Sequence, residues 1–268
     1  MRSSPPLNRR GSQGKHQGRG GPKTAPRGEN TEPETRWIWG VHATLAALAN
    51  PARTIERLVA SRNAAERLPP RLAVNAEVLE LEAIDRLLPP GAVHQGLAVR
   101  APPLEPDDLL AIALPVDGRP VLVLDSVTDP QNVGAIFRSA AAFGARAIVM
   151  QDRKSPPLTG ALAKAAAGAI ELVPHARVVN IARAVEELAQ AGYVTVGLEG
   201  EADMSLAKAL DDLRPAAIVL GAEGKGLREL VAKSCDVRAR IPIAPDMESL
   251  NVSVAAAIAL YEAARKAG

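Results

Sequence analysis

Three polar stretches of this chain hold residues able to do chemistry, and each follows an apolar run. The first is Asp125-Ser-Val-Thr-Asp-Pro-Gln-Asn-Val-Gly-Ala-Ile-Phe-Arg138. It sets an amide, Asn132, near a helix start and a guanidinium, Arg138, about a turn and a half further on. A guanidinium keeps its proton at neutral pH, and its charged fork suits clamping a phosphate or stabilising developing negative charge. The second is Gly221-Ala-Glu-Gly-Lys-Gly-Leu227, whose glycines let backbone approach a ligand closely. It has neither the dinucleotide pattern G-x-G-x-x-G nor the G-K-[ST] of a phosphate loop, so alone it reads equally as a tight strand-to-helix turn. The third runs from Ile241 to Leu260: a strand end, a loop with prolines and acids, then a helix with Ser249, Leu250 and Asn251 at its start. Ser249 and Asn251 are capping types. A helix entered through such a loop suits a ligand at its N-terminus, or is simply a capped core helix. Its body of Ala and Val is expected to be buried all round.

Other chemistries lack their residues. No His/Cys/Asp/Glu group has metal-ligand spacing, so no metal is expected. The histidines are scattered at 16, 42, 94 and 175, and no Ser-His-Asp arrangement suggests itself. His42 and His94 are expected to be structural or RNA-facing. Cys235, the single cysteine, excludes an internal disulfide and reads as a structural thiol in a reducing compartment.

The elements that must position the three stretches follow a β-α-β pattern from Pro120 onward. Strands are expected at Val121–Asp125, Ala147–Met150, Tyr193–Leu198 and Ala216–Gly221. Helices are expected at Asn132–Phe143, Leu162–Gly168, Val178–Ala191 and Leu227–Ser234. Continuous apolar strands between helices imply a mainly parallel sheet covered on both faces. Ligands of such sheets sit beyond the carboxyl ends of the strands, where all three stretches lie. Before this, Trp37 to Arg100 reads as a small α/β unit. Trp37-Ile-Trp-Gly-Val-His-Ala leads into an apolar helical pattern through Leu48. Strands are expected at Ile55–Ala60, Glu77–Leu81 and Gly96–Arg100, and further helices at Ala64–Leu68 and Ala83–Leu88. A proline-rich linker is expected over 101–118.

With 47% hydrophobic but only 2% aromatic residues in 268, the core must be built from Ala, Val, Leu and Ile. No apolar run reaches the length of a membrane span, and no apolar segment follows the basic start, so neither membrane nor secretory signal is expected. The net charge is +2, yet residues 1–36 carry eight Lys/Arg against three Glu in a Gly/Ser/Pro/Gln-rich setting. Such a segment is expected to be a disordered basic tail, suited to phosphate contacts or serving only as a solubilising arm.

In order and spacing the three stretches resemble the signature motifs of the SpoU/TrmH branch of the SPOUT RNA methyltransferases. The matching residues are Asn132 and Arg138, then Gly221, Glu223 and Gly224, then Ser249, Leu250 and Asn251. Trp39-Gly-Val-His-Ala and Gly91-Ala-Val-His-Gln-Gly resemble the start and end of the family's L30e-like RNA substrate-binding domain. Within the family the chain is most similar to the RlmB-type 23S rRNA guanosine 2′-O-methyltransferases, over about Trp37 to Lys266. The resemblance implies a trefoil-knotted SPOUT domain over 119–268, an L30e-like domain over 37–100, a homodimer and a cytoplasmic site of action. It also implies S-adenosylmethionine bound by Gly221, Ile241 and Leu250, with Leu198, Gly200 and Ala244 nearby. The implied reaction is methylation of a ribose 2′-hydroxyl in 23S rRNA, at the guanosine of the peptidyl-transferase P-loop. Arg138 would be essential to it. Asn132 would orient Arg138 or the ribose, Glu223 would hold Arg138 or Asn251, and Ser249 and Asn251 would fix the knot loop and the target nucleotide. The alternatives are a different ribose, in tRNA or elsewhere in rRNA, or an RNA-binding assembly factor without catalysis.

Overall fold

A computed structural model describes residues 36–267 of the chain. The basic tail expected over 1–36 lies, Arg36 apart, outside the described residues. In chain order the elements are β1 Trp37–Trp39, α1 Val41–Ala49, β2 Arg57–Ala60, α2 Arg62–Ala65, α3 Pro70–Ala73, β3 Glu77–Val78, α4 Leu81–Asp85, β4 Leu97–Arg100 and α5 Leu109–Ile112. There follow β5 Val121–Asp125, α6 Pro130–Ala142, β6 Ala147–Gln151, α7 Gly160–Ala166, a 3-10 turn Ala169–Glu171, β7 His175–Val178 and α8 Ile181–Gln190. The last are β8 Val194–Leu198, β9 Met204–Ser205, α9 Leu206–Ala209, β10 Ala216–Gly221, α10 Glu229–Ser234, β11 Val237–Arg240 and α11 Val252–Ala267.

Two sheets result. The first, ordered β1-β4-β2-β3, lies within residues 37–100. The second has seven strands in the order β7-β6-β5-β10-β8-β11-β9, and every pairing in it is parallel. Its central strands are apolar on both faces, and the sequence alternation separates two cores. Leu122, Leu124, Ile148 and Ile218 join one core with Ile136 of α6, Leu162 of α7 and Leu260 of α11. Val121, Val123, Val149 and Val219 join the other with Val185 of α8 and Val231 of α10. In α8 the buried residues are Ile181, Ala184, Val185 and Leu188, the i, i+3, i+4, i+7 stripe of a helix lying on a sheet.

The two parts share one apolar core, where Ile38, Leu58 and Val99 cluster with Leu122 and Leu162, and a buried ion pair also links the segment before β2 to the 3-10 turn. Arg53, ahead of β2, meets Glu171 at 2.8 Å with side chains 1% and 2% exposed. Asn50 Nδ2 also donates to Glu171 (2.7 Å), and Arg53 donates to the Pro102 carbonyl (2.6 Å). Each charge is thus met by hydrogen bonds, which a desolvated pair requires.

Several elements differ from expectation. His175–Val178 is a strand, and the helix expected from Val178 begins only at Ile181, because Asn180 caps it by accepting from Arg183 N–H. The strand expected over Glu77–Leu81 stops at Val78, since Leu81 opens α4. The linker contains α5, capped by Asp108 and anchored by buried Leu109. β9 and β11 have no apolar run to announce them: in Val237–Arg240 only Ala239 is buried. Helix α11 is not buried all round. Val254, Ile258 and Tyr261 share one face, at i, i+4 and i+7, and that face is exposed.

Candidate active site

The loops that follow β5, β8, β10 and β11 open at the carboxyl edge of the large sheet, the edge where parallel sheets hold ligands. The second stretch leaves β10 at Gly221 and turns back on itself. Ala222 and Gly226 form a bridge, and Gly226 N–H donates to the Ala222 carbonyl at 2.9 Å. The returning backbone passes so close that a Cβ on Gly221 would lie 2.1 Å from the Gly226 carbonyl carbon. Only glycine fits there. The far side of the loop is anchored at Arg228, whose backbone N–H and Nε donate to Asp125 at 2.9 and 2.7 Å. Asp125 ends β5 and is fully buried. This anchor was missed from the sequence. Its signal was a carboxylate closing the otherwise apolar run Val121-Leu-Val-Leu. Ser126, the next residue, holds φ 62°, a costly conformation for a residue with a side chain.

The three stretches meet in one hydrogen-bonded cluster. Asn132 Nδ2 donates to Glu223 Oε1 at 3.1 Å. Asn251 Nδ2 donates to the same oxygen at 2.5 Å and to Asn132 Oδ1 at 3.0 Å. Asn251 Oδ1 accepts from the N–H groups of Ser253 and Val254, so Asn251 is also the cap of α11. The backbone N–H of Val252 reaches Glu223 Oε1 as well, at 3.4 Å. One carboxylate oxygen therefore ties the start of α6 to the start of α11. Asp129 caps α6 by accepting from Gln131 N–H, and Asn132, 8% exposed, sits in its first turn. Gly134 follows because α7 crosses there: a Cβ would stand 2.7 Å from the Leu162 carbonyl oxygen.

Arg138 is not in this cluster. It is exposed on α6, and among the described residues it makes no hydrogen bond or ion pair. Glu223 holds Asn251 and Asn132, not Arg138. Ser249 is exposed and likewise makes no hydrogen bond among the described residues.

Beside the cluster lies a cavity of about 490 Å³, within the range of small-molecule sites. Leu198, Gly200, Gly221, Ile241 and Leu250 line it, together with Ser249 and Glu223. Ala244 does not line it: its carbonyl accepts from Met247 N–H within the 241–251 loop. The apolar side chains supply walls for a flat ring system. The bare backbone at Gly200, where nothing stands within 4 Å of a Cβ position, leaves room for close approach. These residues fit a nucleoside-like ligand.

The histidines and the cysteine do other work. His94 is buried, accepts from Gly96 N–H at Nδ1 and faces Asp85 through Nε2 at 3.0 Å, a structural role. His42 is exposed. Burial pushes the Cys235 thiol up to about 12, which makes it inert. Among the described residues no His/Cys/Asp/Glu group could hold a metal ion.

The model of the SpoU rRNA Methylase family matches residues 119–261. The chain is 42% identical over 241 residues to a Vibrio cholerae protein named 23S rRNA (guanosine-2′-O-)-methyltransferase RlmB, covering 85% of this chain and 96% of that one. It is similar in fold to a Sinorhizobium meliloti rRNA methyltransferase whose crystal structure has AdoMet bound, with a TM-score of 0.74, 24% identity, and 86% and 87% of the two chains covered. A putative RNA methyltransferase of the TrmH family from Porphyromonas gingivalis gives a TM-score of 0.68 at 26% identity, covering 86% of this chain and 90% of that one.

Proposed function

The chain belongs to the SpoU rRNA methylase family, and from that premise we propose that it methylates a ribose 2′-hydroxyl of 23S rRNA, at a guanosine, with S-adenosylmethionine as donor. The observation that carries this reading is the joining of all three stretches through Glu223 beside a cavity fit for the donor. When bound, S-adenosylmethionine supplies a methyl group on a positively charged sulfur. Leu198, Ile241 and Leu250 would hold its base, and Gly200 and Gly221 would give it backbone to approach.

The chain's own residues have the remaining tasks. A ribose hydroxyl is a poor nucleophile until it loses its proton. Arg138, a cation without an ion pair among the described residues, is able to clamp an RNA phosphate and to stabilise the charge that develops on the oxygen. Asn132 and Asn251, held by Glu223, fix the ends of α6 and α11 so that the nucleotide and donor sites keep their spacing. Ser249, which makes no hydrogen bond among the described residues, lines the cavity. We read residues 37–100 as an L30e-like RNA-binding domain, 101–118 as its linker and 119–268 as the knotted catalytic domain. The knot reading is supported by the way the 241–251 segment meets the 221–227 loop at Glu223. We read the chain as a homodimer, supported by the exposed apolar face Val254, Ile258 and Tyr261 on α11. Among the described residues no helix is long and apolar enough to cross a membrane. The proposed rRNA substrate supports a cytoplasmic site of action.

The test is Arg138→Ala. Methyl transfer should fall by about a hundred- to a thousandfold, the scale of losing a charge-stabilising group, while S-adenosylmethionine still binds with unchanged affinity by calorimetry. Near-normal turnover by this variant would remove Arg138 from the mechanism.

A further inference from the structure

A second cavity, also of about 490 Å³, opens between the small sheet and helices α6 and α7. Its walls are rigid: Pro89, Pro90, Pro130, Pro156 and Pro157 line it, together with the buried indole of Trp39. Proline has little freedom to lose when a ligand arrives, so the cavity is pre-formed. Within this apolar frame sits a polar group without a partner among the described residues: Thr159 is 3% exposed, and its hydroxyl makes no hydrogen bond there. A buried hydroxyl left unpaired costs about 1–3 kcal/mol, which a ligand can recover. Lys164 also lines the cavity. Its ammonium donates to Gln95 at 2.9 Å and has protons to spare.

Two further features tie this cavity to RNA. Arg153 and Lys154 lie exposed on the segment leading to Pro156, with no ion pair among the described residues. Gln131, on the cavity wall, precedes Asn132 and lies seven residues before Arg138. Seven residues bring a helix round to the same side, about 10 Å along its axis. The cavity and Arg138 are therefore about one or two nucleotides apart on one side of α6.

We propose that this cavity receives a purine base of the RNA strand, guanine in preference, unstacked from its neighbours next to the ribose served by Arg138. Proteins that read single-stranded RNA hold splayed-out bases between flat apolar surfaces and bond their edges. Here the prolines and Trp39 form the apolar surfaces. The Lys164 ammonium meets the O6/N7 edge that distinguishes guanine, and the Thr159 hydroxyl takes a further edge atom. Arg153 and Lys154 take flanking phosphates. The proposal rests on the rRNA methyltransferase reading, but its test does not need turnover.

Guanosine 5′-monophosphate is titrated into the full chain while tryptophan emission is followed. A saturable change is expected, weaker with uridine 5′-monophosphate. Thr159→Val should weaken GMP binding about tenfold, the value of one buried hydrogen bond. Thr159→Ser should keep it. Thr159→Val should also raise the KM for rRNA by a similar factor, with cofactor affinity unchanged. Should Thr159→Val fail to fold, Lys164→Gln is read the same way and should abolish the preference for GMP. Absence of a saturable signal in the unmodified chain overturns the proposal. So does equal GMP affinity in Thr159→Val, or equal affinity and base preference in Lys164→Gln. A Thr159-dependent GMP signal without methyl transfer to any RNA would leave the cavity assigned and overturn the methyltransferase reading.

Discussion

At the scale of single residues, the site depends on one carboxylate oxygen. Glu223 Oε1 accepts from Asn132, Asn251 and the backbone of Val252. Hydrogen bonds to a charged acceptor are worth about 1.5–3 kcal/mol each, although solvent at exposed Glu223 reduces this. Glu223→Ala should therefore loosen the starts of α6 and α11 together. The expected result is a fall in kcat of about ten- to a hundredfold, the scale of a misplaced catalytic group, with Asn132→Ala in the same background adding little more. A double-mutant cycle on kcat measures this, and full additivity would show that the two residues act separately. Arg138 stands outside this network, which leaves its guanidinium free to meet RNA.

At the scale of elements, the turn after β10 is the part most sensitive to small change. Gly221→Ala puts a methyl group into the Gly226 carbonyl, backbone that has no other place to go. The turn must open, and cofactor affinity should fall at least about tenfold while the α-helical circular dichroism is kept; unaltered affinity by calorimetry would show that the turn does not shape the cavity. This is also where the sequence was most informative. The stretches around Asn132, Gly221 and Asn251 pointed to one site, because loops beyond parallel strands share an edge whatever the detail between them. Less could be read where charge or brevity hid the pattern. β11 alternates Val237-Arg-Ala-Arg and is recognisable by its pairing with β8 and β9. The Arg53–Glu171 pair joins residues 118 positions apart, which no local pattern reveals. Asp125 gave a faint signal, a lone acid closing a buried strand. The exposed face of α11 could not be foreseen, since Val254 and Ile258 are as apolar as the residues it buries.

At the scale of the whole molecule, the apolar cores carry the stability, and two buried polar groups within them are sensitive to change. Arg53→Ala would leave the Glu171 carboxylate buried without its cation. Removing one partner of such a pair costs about 3–5 kcal/mol, so the urea midpoint should fall, and an unchanged midpoint would mean that water enters to replace the guanidinium. His175 makes stability depend on pH. Burial pushes its imidazole down to about 4, and the cation of Arg177 adds to this. The unfolded chain binds the proton near pH 6.5 and the folded chain only near pH 4. His175 therefore leaves stability untouched above pH 6.5, and removes it progressively as pH falls from 6.5 to 4, by up to about 3 kcal/mol. His175→Leu should lose this part of the slope when urea midpoints at pH 7 and pH 5 are compared; an equal slope in both proteins would assign the acid sensitivity elsewhere. The central claim concerns the reaction itself, and its most direct test is methyl transfer from labelled S-adenosylmethionine to unmodified 23S rRNA, followed by mapping of the labelled nucleotide. The account predicts a single 2′-O-methylguanosine that disappears with Arg138→Ala. Label on a base, or no transfer to any rRNA by a protein that binds the cofactor, would contradict it.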